Sequence, residues 1–278
     1  MNRILLCSDL DRTLIPNDSH AESPQARALL RKVAARPEVT LAYVSGRHQS
    51  LLMAAIEEFD LPIPDYAIGD VGTSIYEVDH GHWHHWHAWE EEIAPDWRGR
   101  TREDIAALFH DETALRLQEP EKQSPYKVSY YAAVDIDHGA VMERMQSRLG
   151  DADINATLIW SIDEPNRIGL LDILPAGATK LHAIRFLMLK KGFDDSHTVF
   201  AGDSGNDLPV LTSGMQSILV RNASDAVRAQ AVAALREKGL HDTLYLARGG
   251  WLEMNGNYAA GVLEGLAHFL PETRPWMV

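Results

Sequence analysis

The first third of the chain alternates short apolar runs with segments of helical periodicity. Ile4 to Cys7 and Leu41 to Val44 are continuous apolar runs, which are typical of strands buried on both faces of a parallel sheet. Apolar positions between Ala26 and Val33 predict a helix, and a second helix is predicted to follow Ser45 as far as Phe59. Strands and helices in alternation favour an α/β fold, a doubly wound and mostly parallel sheet covered by helices.

The pattern changes in the middle of the chain. Residues 93–167 predict a small α+β unit, whereas 1–92 and 168–278 predict the larger core domain into which it is inserted. The core is predicted to resume with a strand at Leu170 to Leu174 and a helix that continues through Leu189. The elements predicted inside the inserted unit are a helix at Thr101 to Phe109, a strand at Lys127 to Ala133, a helix at Gly139 to Leu149 and a strand at Thr157 to Ile162.

A segment rich in histidine and tryptophan precedes the inserted unit. Ile75 to Val78 and the segment near Trp83 to Trp89 predict a hairpin. Four histidines between His82 and His87 raise the alternative of a zinc site, because alternate side chains of a strand share one face. No cysteine accompanies them, so an exposed amphipathic hairpin is the preferred interpretation.

Two acidic clusters follow predicted strands. Asp9 and Asp11 come directly after the first apolar run, and Asp203 and Asp207 follow the run Thr198 to Ala201. The carboxyl ends of parallel strands meet at one edge of the sheet, where open α/β folds bind their ligands. Carboxylates placed that close need a cation or a shared proton between them, and Mg²⁺, which prefers oxygen ligands, is the expected cation.

An EF-hand also begins with two aspartates in this spacing, but the rest of that motif is missing. Leu14 stands where the loop needs glycine, and His20 stands where it needs glutamate. The alternative for the second cluster is a capped helix start with Asp203 as the N-cap.

Two further polar segments follow predicted strands. The Ser45 hydroxyl and the Gly46 backbone N–H can bind a phosphate oxygen, although a serine here is also a common helix cap. Lys180 lies at a helix start, where a cation is unfavourable unless an anion is nearby. Arg47 is open to two interpretations, a surface ion pair or a substrate contact.

Taken in order, these four segments resemble the motifs of the haloacid dehalogenase-like phosphohydrolases over Ile4 to about Asp207. Within that superfamily the chain resembles the sucrose-phosphate phosphatase group. The narrower likeness rests on the predicted cap segment Tyr126 to Tyr131 and on the tail Asn257 to Leu266, besides the two acidic clusters. Arg12 departs from the pattern, because its position is most often glycine in the superfamily and asparagine in the plant sucrose phosphatases.

The resemblance implies a specific role for each expected catalytic residue. Asp9 is the expected nucleophile, which forms an aspartyl-phosphate. Asp11 is the expected general acid and base, for which it needs a raised pKa, and its backbone carbonyl is expected to bind the metal. Ser45 and Lys180 are the other expected catalytic residues.

The same resemblance implies the ligands of the metal and the substrate. Asp203 and Asp207 are expected to complete a Mg²⁺ site with Asp9 and Asp11. The expected substrate contacts come from Gly46, Arg47, Asn206 and Lys127, the last from an inserted cap that closes over the sugar.

The composition of the chain limits the classes of binding partner and the cellular compartment that we expect. A formal net charge of −14 argues against nucleic acid or an anionic membrane as partner. Cys7 is the single cysteine, so no disulfide framework exists and a reducing compartment is expected. Neither a signal peptide nor an apolar run of transmembrane length is evident in the sequence, which makes a cytoplasmic protein the expectation.

These observations predict a Mg²⁺-dependent sugar-phosphate phosphatase, and sucrose 6-phosphate is the substrate that the resemblance favours. Mannosylfructose phosphate, mannosyl-3-phosphoglycerate and a hexose phosphomutase activity are the alternatives. A sugar-phosphate synthase or glycosyltransferase of the same pathway is the expected protein partner.

Overall fold

A computed structural model describes residues 3–163 and 166–278 of the protein. The chain forms two compact units. We call the residues through His85, together with Lys180–Val278, the core unit, and Trp86–Thr179 the inserted unit. Within the described residues, no helix has both the length and the apolar character needed to cross a bilayer.

The described residues contain twelve strands and nine α-helices. The strands are β1 (Ile4–Ser8), β2 (Val39–Val44), β3 (Tyr66–Gly69), β4 (Ser74–Asp79), β5 (His82–His85), β6 (Leu115–Leu117), β7 (Val128–Ala133), β8 (Ala156–Asp163), β9 (Ile168–Pro175), β10 (Thr198–Gly202), β11 (Gln216–Leu219) and β12 (Leu244–Leu246). The helices are α1 (Ala26–Ala34), α2 (Gln49–Glu58), α3 (His87–Ile93), α4 (Arg102–Ala107), α5 (His138–Asp151), α6 (Lys180–Lys191), α7 (Leu208–Leu211), α8 (Asp225–Lys238) and α9 (Ala259–Phe269).

The core unit is built on one mostly parallel sheet, which confirms the predicted fold class. Its strand order is β12-β11-β10-β1-β2-β3-β4-β5. Within this sheet the described β3–β4 and β4–β5 pairs are antiparallel, and the other described pairs are parallel. Every residue of β1, β2 and β10 is buried, as their continuous apolar runs predict. The strands β1 and β10 are neighbours, with Cys7 opposite Phe200, and this brings the two acidic clusters to the same edge of the sheet.

The predicted hairpin is present as β4 and β5. It is shorter than predicted, since β5 ends at His85 and α3 begins at His87. Ser23 followed by Pro24 predicts a helix start, but helix α1 begins at Ala26. The hydroxyl of Ser23 instead accepts a hydrogen bond from the backbone N–H of Asn255, at 2.9 Å.

The inserted unit has its own sheet and hydrophobic core. Its strands lie in the order β6-β7-β9-β8, and every pair is antiparallel. On α5, Val141, Met145 and Leu149 are buried at a spacing of four residues, which is the stripe of a helix packed on one side. Helix α5 covers β8 within this unit.

The structure divides the chain after residues 85 and 179, whereas the sequence predicted the divisions after 92 and 167. The largest difference is β9, which was predicted to be a core strand but pairs with β7 and β8 in the inserted unit. Its burial alternates in its first half, with Leu171 and Ile173 buried and Asp172 between them half-buried. That alternation is typical of a strand in an antiparallel sheet that has one solvent-exposed face.

Candidate active site

The carboxyl ends of β1 and β10 carry the first elements of the site. Asp9 follows β1, and its backbone N–H donates to the carbonyl of Ala201 at 2.9 Å. Asp203 follows β10, and Asp207 lies one helical turn later, in the short 3₁₀ turn Gly205–Asp207. The sheet therefore brings together side chains that are almost 200 positions apart in sequence.

Asp9, Asp203 and Asp207 form one buried group of carboxylates, which we call the carboxylate cluster. One oxygen from each lies within 4.8 Å of the others. Three buried carboxylates at this separation repel one another, and oxygen-only ligation suits a hard divalent ion. The cluster can therefore hold a metal ion, because all of its donor atoms are carboxylate oxygens.

Lys180 lies against this cluster at the first residue of α6. Its Nζ lies 2.9 Å from Oδ2 of Asp9, 2.8 Å from Oδ1 of Asp207 and 3.4 Å from Oδ1 of Asn206. Burial alone would lower the pKa of Lys180, but the charges of Asp207 and Asp9 outweigh it and raise the pKa above its usual value. The lysine is therefore a fixed cation, which explains its place at a helix N-terminus.

Two carboxyl groups of the cluster ionise less readily than a free aspartate. Burial raises the pKa of Asp9 to about 7, even though Lys180 lowers it, and Asp207 adds to the rise. Burial and the charge of Asp207 raise the pKa of Asp203 to about 6. A second positive charge at the cluster would relieve both penalties.

Asp207 is held by the turn that precedes it. Its Oδ2 accepts hydrogen bonds from the backbone N–H groups of Asp203 and Ser204, both at 3.1 Å. Ser204 is the N-cap of this turn, so the alternative interpretation, in which Asp203 caps the helix, is wrong. Gly202 is required here, because a Cβ on it would lie 2.6 Å from Cγ of Asp207.

Asp11 lies outside the carboxylate cluster and pairs with Arg47. Its Oδ1 accepts from Nη2 of Arg47 at 2.7 Å and from Asn17 at 2.7 Å, and its Oδ2 accepts from Nε of Arg47 at 2.9 Å. Burial opposes ionisation of Asp11, but the hydrogen bonds and charge of Arg47 outweigh it and lower the pKa. The expectation of a raised pKa for Asp11 is wrong in this state of the protein, since its nearest charged neighbour is an arginine.

Ser45 and Gly46 follow β2 at the same edge of the sheet. The Ser45 side chain is buried, and its Oγ accepts a hydrogen bond from the backbone N–H of Arg47 at 3.2 Å. Gly46 is exposed, and a Cβ there would meet only ordinary contacts, the nearest at 3.9 Å. Packing does not require a glycine at this position, so its role in phosphate binding stays a prediction.

The two remaining predicted substrate ligands lie in different units. Asn206 is exposed in the core unit, where its Oδ1 accepts from Oγ of Ser204 at 2.7 Å as well as from Lys180. Lys127 lies in the inserted unit directly before β7, and its side chain is buried. Its contact with the sugar stays a prediction.

Comparisons with known proteins agree with this geometry. The family model for sucrose-6F-phosphate phosphohydrolase matches residues 2–270. The chain belongs to that family. It is therefore a phosphatase enzyme, and the predicted resemblance is confirmed.

Three similar proteins illustrate the range of the family. A Nitrosococcus oceani protein that bears the name "Putative HAD-like hydrolase" is 59% identical over 99% of this chain and 74% of its own length. The mannosylfructose-phosphate phosphatase of Agrobacterium fabrum is 30% identical over 95% of this chain and 96% of its own. The solved sucrose-phosphatase of Synechocystis sp. PCC6803, in complex with sucrose and phosphate, has a TM-score of 0.73 and 25% identity, covering 97% and 98% of the two chains.

Several residues that hold the site of this phosphatase were not predicted from the sequence. Oγ1 of Thr13 donates to Oδ1 of Asp203 at 3.1 Å. Asn222 donates to the carbonyl of Arg12 at 2.6 Å and accepts from the backbone N–H of Tyr258 at 2.9 Å. The tail stretch that begins at Asn257, noted only as part of the resemblance, thus supports the loop after β1.

The backbone at Arg12 explains why the family pattern has glycine or asparagine at this position. Its φ is +56°, in the left-handed region that glycine and asparagine adopt most readily. Nη2 of Arg12 lies 3.1 Å from Oδ2 of Asp203. No periodicity or spacing in the sequence indicates this ion pair.

Proposed function

We propose that this enzyme is a Mg²⁺-dependent phosphatase that hydrolyses sucrose 6-phosphate through an aspartyl-phosphate at Asp9. The observation that carries the proposal is the position of Asp9, which lies in the carboxylate cluster with Lys180 at 2.9 Å. The family match and the solved relative in complex with sucrose and phosphate support the substrate.

In the proposed first step, a carboxylate oxygen of Asp9 attacks phosphorus, and the bond from phosphorus to the sugar oxygen breaks. Lys180 favours the ionised form of Asp9 and fixes the direction of its carboxylate, because the ammonium group bonds both Asp9 and Asp207. A divalent ion bound by the cluster would supply positive charge beside the transferring phosphoryl group.

The departing sugar oxygen takes a proton from Asp11, which must be protonated at that moment. Arg47 lowers the pKa of Asp11 in the present state, so we propose that Arg47 turns to the substrate phosphate on binding. Asp11 is then free to act as the acid. In the second step water attacks phosphorus, Asp11 accepts its proton, and the bond from phosphorus to Asp9 breaks.

Mannosylfructose phosphate is a second candidate substrate. The Agrobacterium relative named for that activity matches almost all of both chains. Both substrates are phosphates of a disaccharide that contains fructose, so the core residues described above could serve either one. Discrimination then falls to side chains that meet the other sugar ring, for which Lys127 is our candidate.

A phosphate-release assay with Mg²⁺ tests the function. We expect release from sucrose 6-phosphate to exceed release from mannosylfructose 6-phosphate, glucose 6-phosphate and fructose 6-phosphate. Asp9→Asn should abolish turnover while its unfolding curve stays close to that of the parent, and Asp242→Asn, at an exposed aspartate, is the matched control. The proposal fails if no sugar phosphate is hydrolysed or if Asp9→Asn keeps its activity.

A further inference from the structure

Arg12 holds a strained backbone conformation beside the carboxylate cluster. Its φ of +56° is unfavourable for a residue with a long side chain. Three hydrogen bonds maintain it: the N–H of Arg12 donates to Oδ1 of Asn17 at 2.9 Å and to the carbonyl of Ile15 at 3.1 Å, and its carbonyl accepts from Asn222 at 2.6 Å. The conformation is therefore built by the surrounding loop.

The arginine contacts the cluster from its solvent side. Its Nη2 lies 3.1 Å from Oδ2 of Asp203, and the side chains are 50% and 3% exposed. A half-exposed cation thus reaches a buried carboxylate. Such a contact costs little to break on the arginine side, because water replaces it there.

The other oxygens of the cluster are bound more rigidly. Lys180, which is buried, bonds Oδ2 of Asp9 and Oδ1 of Asp207, and backbone N–H groups bond the second oxygen of each. Oδ1 of Asp203 accepts from the buried Thr13. Among the described residues, Oδ2 of Asp203 is the oxygen of the cluster whose partner can most easily leave.

We propose that Arg12 is a displaceable counter-ion of the metal site. It neutralises Asp203 in the metal-free protein and competes with a divalent ion for Oδ2 of that residue, so it weakens metal binding. This inference rests on the proposed function only in taking Asp203 as a metal ligand. In this role Arg12 sets the affinity of the site for the metal ion and takes no part in the chemical steps.

The test is a titration of the metal-free protein, residues 1–278, with Mg²⁺ and with Mn²⁺ by calorimetry, without substrate. Arg12→Gln removes the charge and should bind both ions about two- to fivefold more tightly, the range for an ion pair whose cation is exposed to solvent. Arg12→Lys keeps the charge and should bind like the parent protein. Arg31→Gln removes an exposed arginine paired with Asp60 and should change nothing.

A second readout separates metal competition from a change in folding. The rise in melting temperature on adding Mg²⁺ to protein kept in chelator should be larger for Arg12→Gln than for the parent. Arg12→Asn, which accepts the left-handed backbone more readily, provides the same comparison if the glutamine variant folds poorly. Equal or weaker binding of Mg²⁺ by the neutral variants overturns the proposal, as does a parent protein that binds no Mg²⁺.

The titration is independent of turnover. If the neutral variants bind Mg²⁺ more tightly but no sugar phosphate is hydrolysed, the proposed function fails and the role of Arg12 stands. If sugar phosphate is hydrolysed but the neutral variants bind Mg²⁺ no more tightly than the parent, the proposed function stands and the role of Arg12 fails.

Discussion

Nζ of Lys180 lies 2.9 Å from Oδ2 of Asp9, although the two residues are 171 positions apart in the chain. The same ammonium group bonds Asp207, and all three side chains are buried. The lysine is therefore the permanent cation of the site.

Replacing Lys180 by methionine should be strongly destabilising in the absence of metal. It leaves buried carboxylates without their cation, and removing one partner of a buried ion pair costs about 3–5 kcal/mol. Urea unfolding in chelator measures this loss. Lys191→Met is the matched control on the same helix, since Lys191 pairs with Glu77 at the surface and should cost at most about 1 kcal/mol. Equal losses for the two variants would contradict the assigned role.

Gly202 and Gly205 offer a test within one turn. Gly202→Ala places a Cβ 2.6 Å from Cγ of Asp207, whereas Gly205 has no heavy atom within 4 Å of such a Cβ. We expect Gly202→Ala to displace Asp207, to lose about 1–3 kcal/mol of stability and to weaken binding of Mg²⁺. Gly205→Ala should leave metal affinity unchanged. Calorimetric titration of both variants distinguishes a packing role for Gly202 from a general sensitivity of the turn.

Metal binding should weaken as the solution becomes more acidic. The pKa values of Asp9 and Asp203 are raised to about 7 and about 6, so protons compete with a metal ion at both residues. The affinity for Mg²⁺ should fall below pH 7 by up to about tenfold per pH unit for each proton displaced. Titrations between about pH 5 and pH 8 measure the effect. An affinity that is constant over this range would contradict the raised pKa values.

The same shifts predict how the metal-free protein responds to pH. Folding raises the pKa of Asp9 and Asp203 above the ordinary value of 3.8, so the folded state binds more protons than the unfolded state between about pH 4 and pH 7. These two groups therefore oppose folding at pH 8, and their penalty disappears as the pH falls through that window. Asp203→Asn should reduce this pH dependence in chelator.

Substitutions at Asp11 and Arg47 should change the rate and the pH dependence of catalysis. Asp11→Asn removes the proposed acid and should lower kcat by about 10²–10⁴-fold. Arg47→Ala removes the two hydrogen bonds that lower the pKa of Asp11, so the alkaline limb of the kcat/KM profile, above which the acid is ionised, should move to higher pH. Arg47→Lys keeps the charge and should move the limb less. An unmoved limb in the alanine variant would show that Arg47 does not control this proton.

The sequence alone predicted the fold class and the convergence of Asp9 with Asp203, because both follow from local patterns. Continuous apolar runs identify buried parallel strands, and parallel strands bring their carboxyl ends to one edge. The assignment of β9 failed because an apolar run with Asp172 inside it fits either sheet. The partner strand, which decides between them, is not a local property.

The side-chain pairs of the site were not predictable in the same way. Arg47 lies 36 residues from Asp11, and either residue could have faced the phosphate or solvent. The left-handed backbone of Arg12 depends on Asn222, which lies 210 residues away. Such contacts depend on how loops from different strands pack, and no periodicity encodes them.

The link from Tyr258 through Asn222 to Arg12 joins the two ends of the core unit. Tyr258 donates its backbone N–H to Asn222, its hydroxyl bonds Asp18, and Asn222 donates to the carbonyl of Arg12. The loop that follows Asp9 is thus completed by residues that lie more than 200 positions later in the chain. A nascent chain that stops short of Tyr258 contains Asp9, Asp203 and Asp207 but lacks the hydrogen bonds that hold the loop after Asp9 in place.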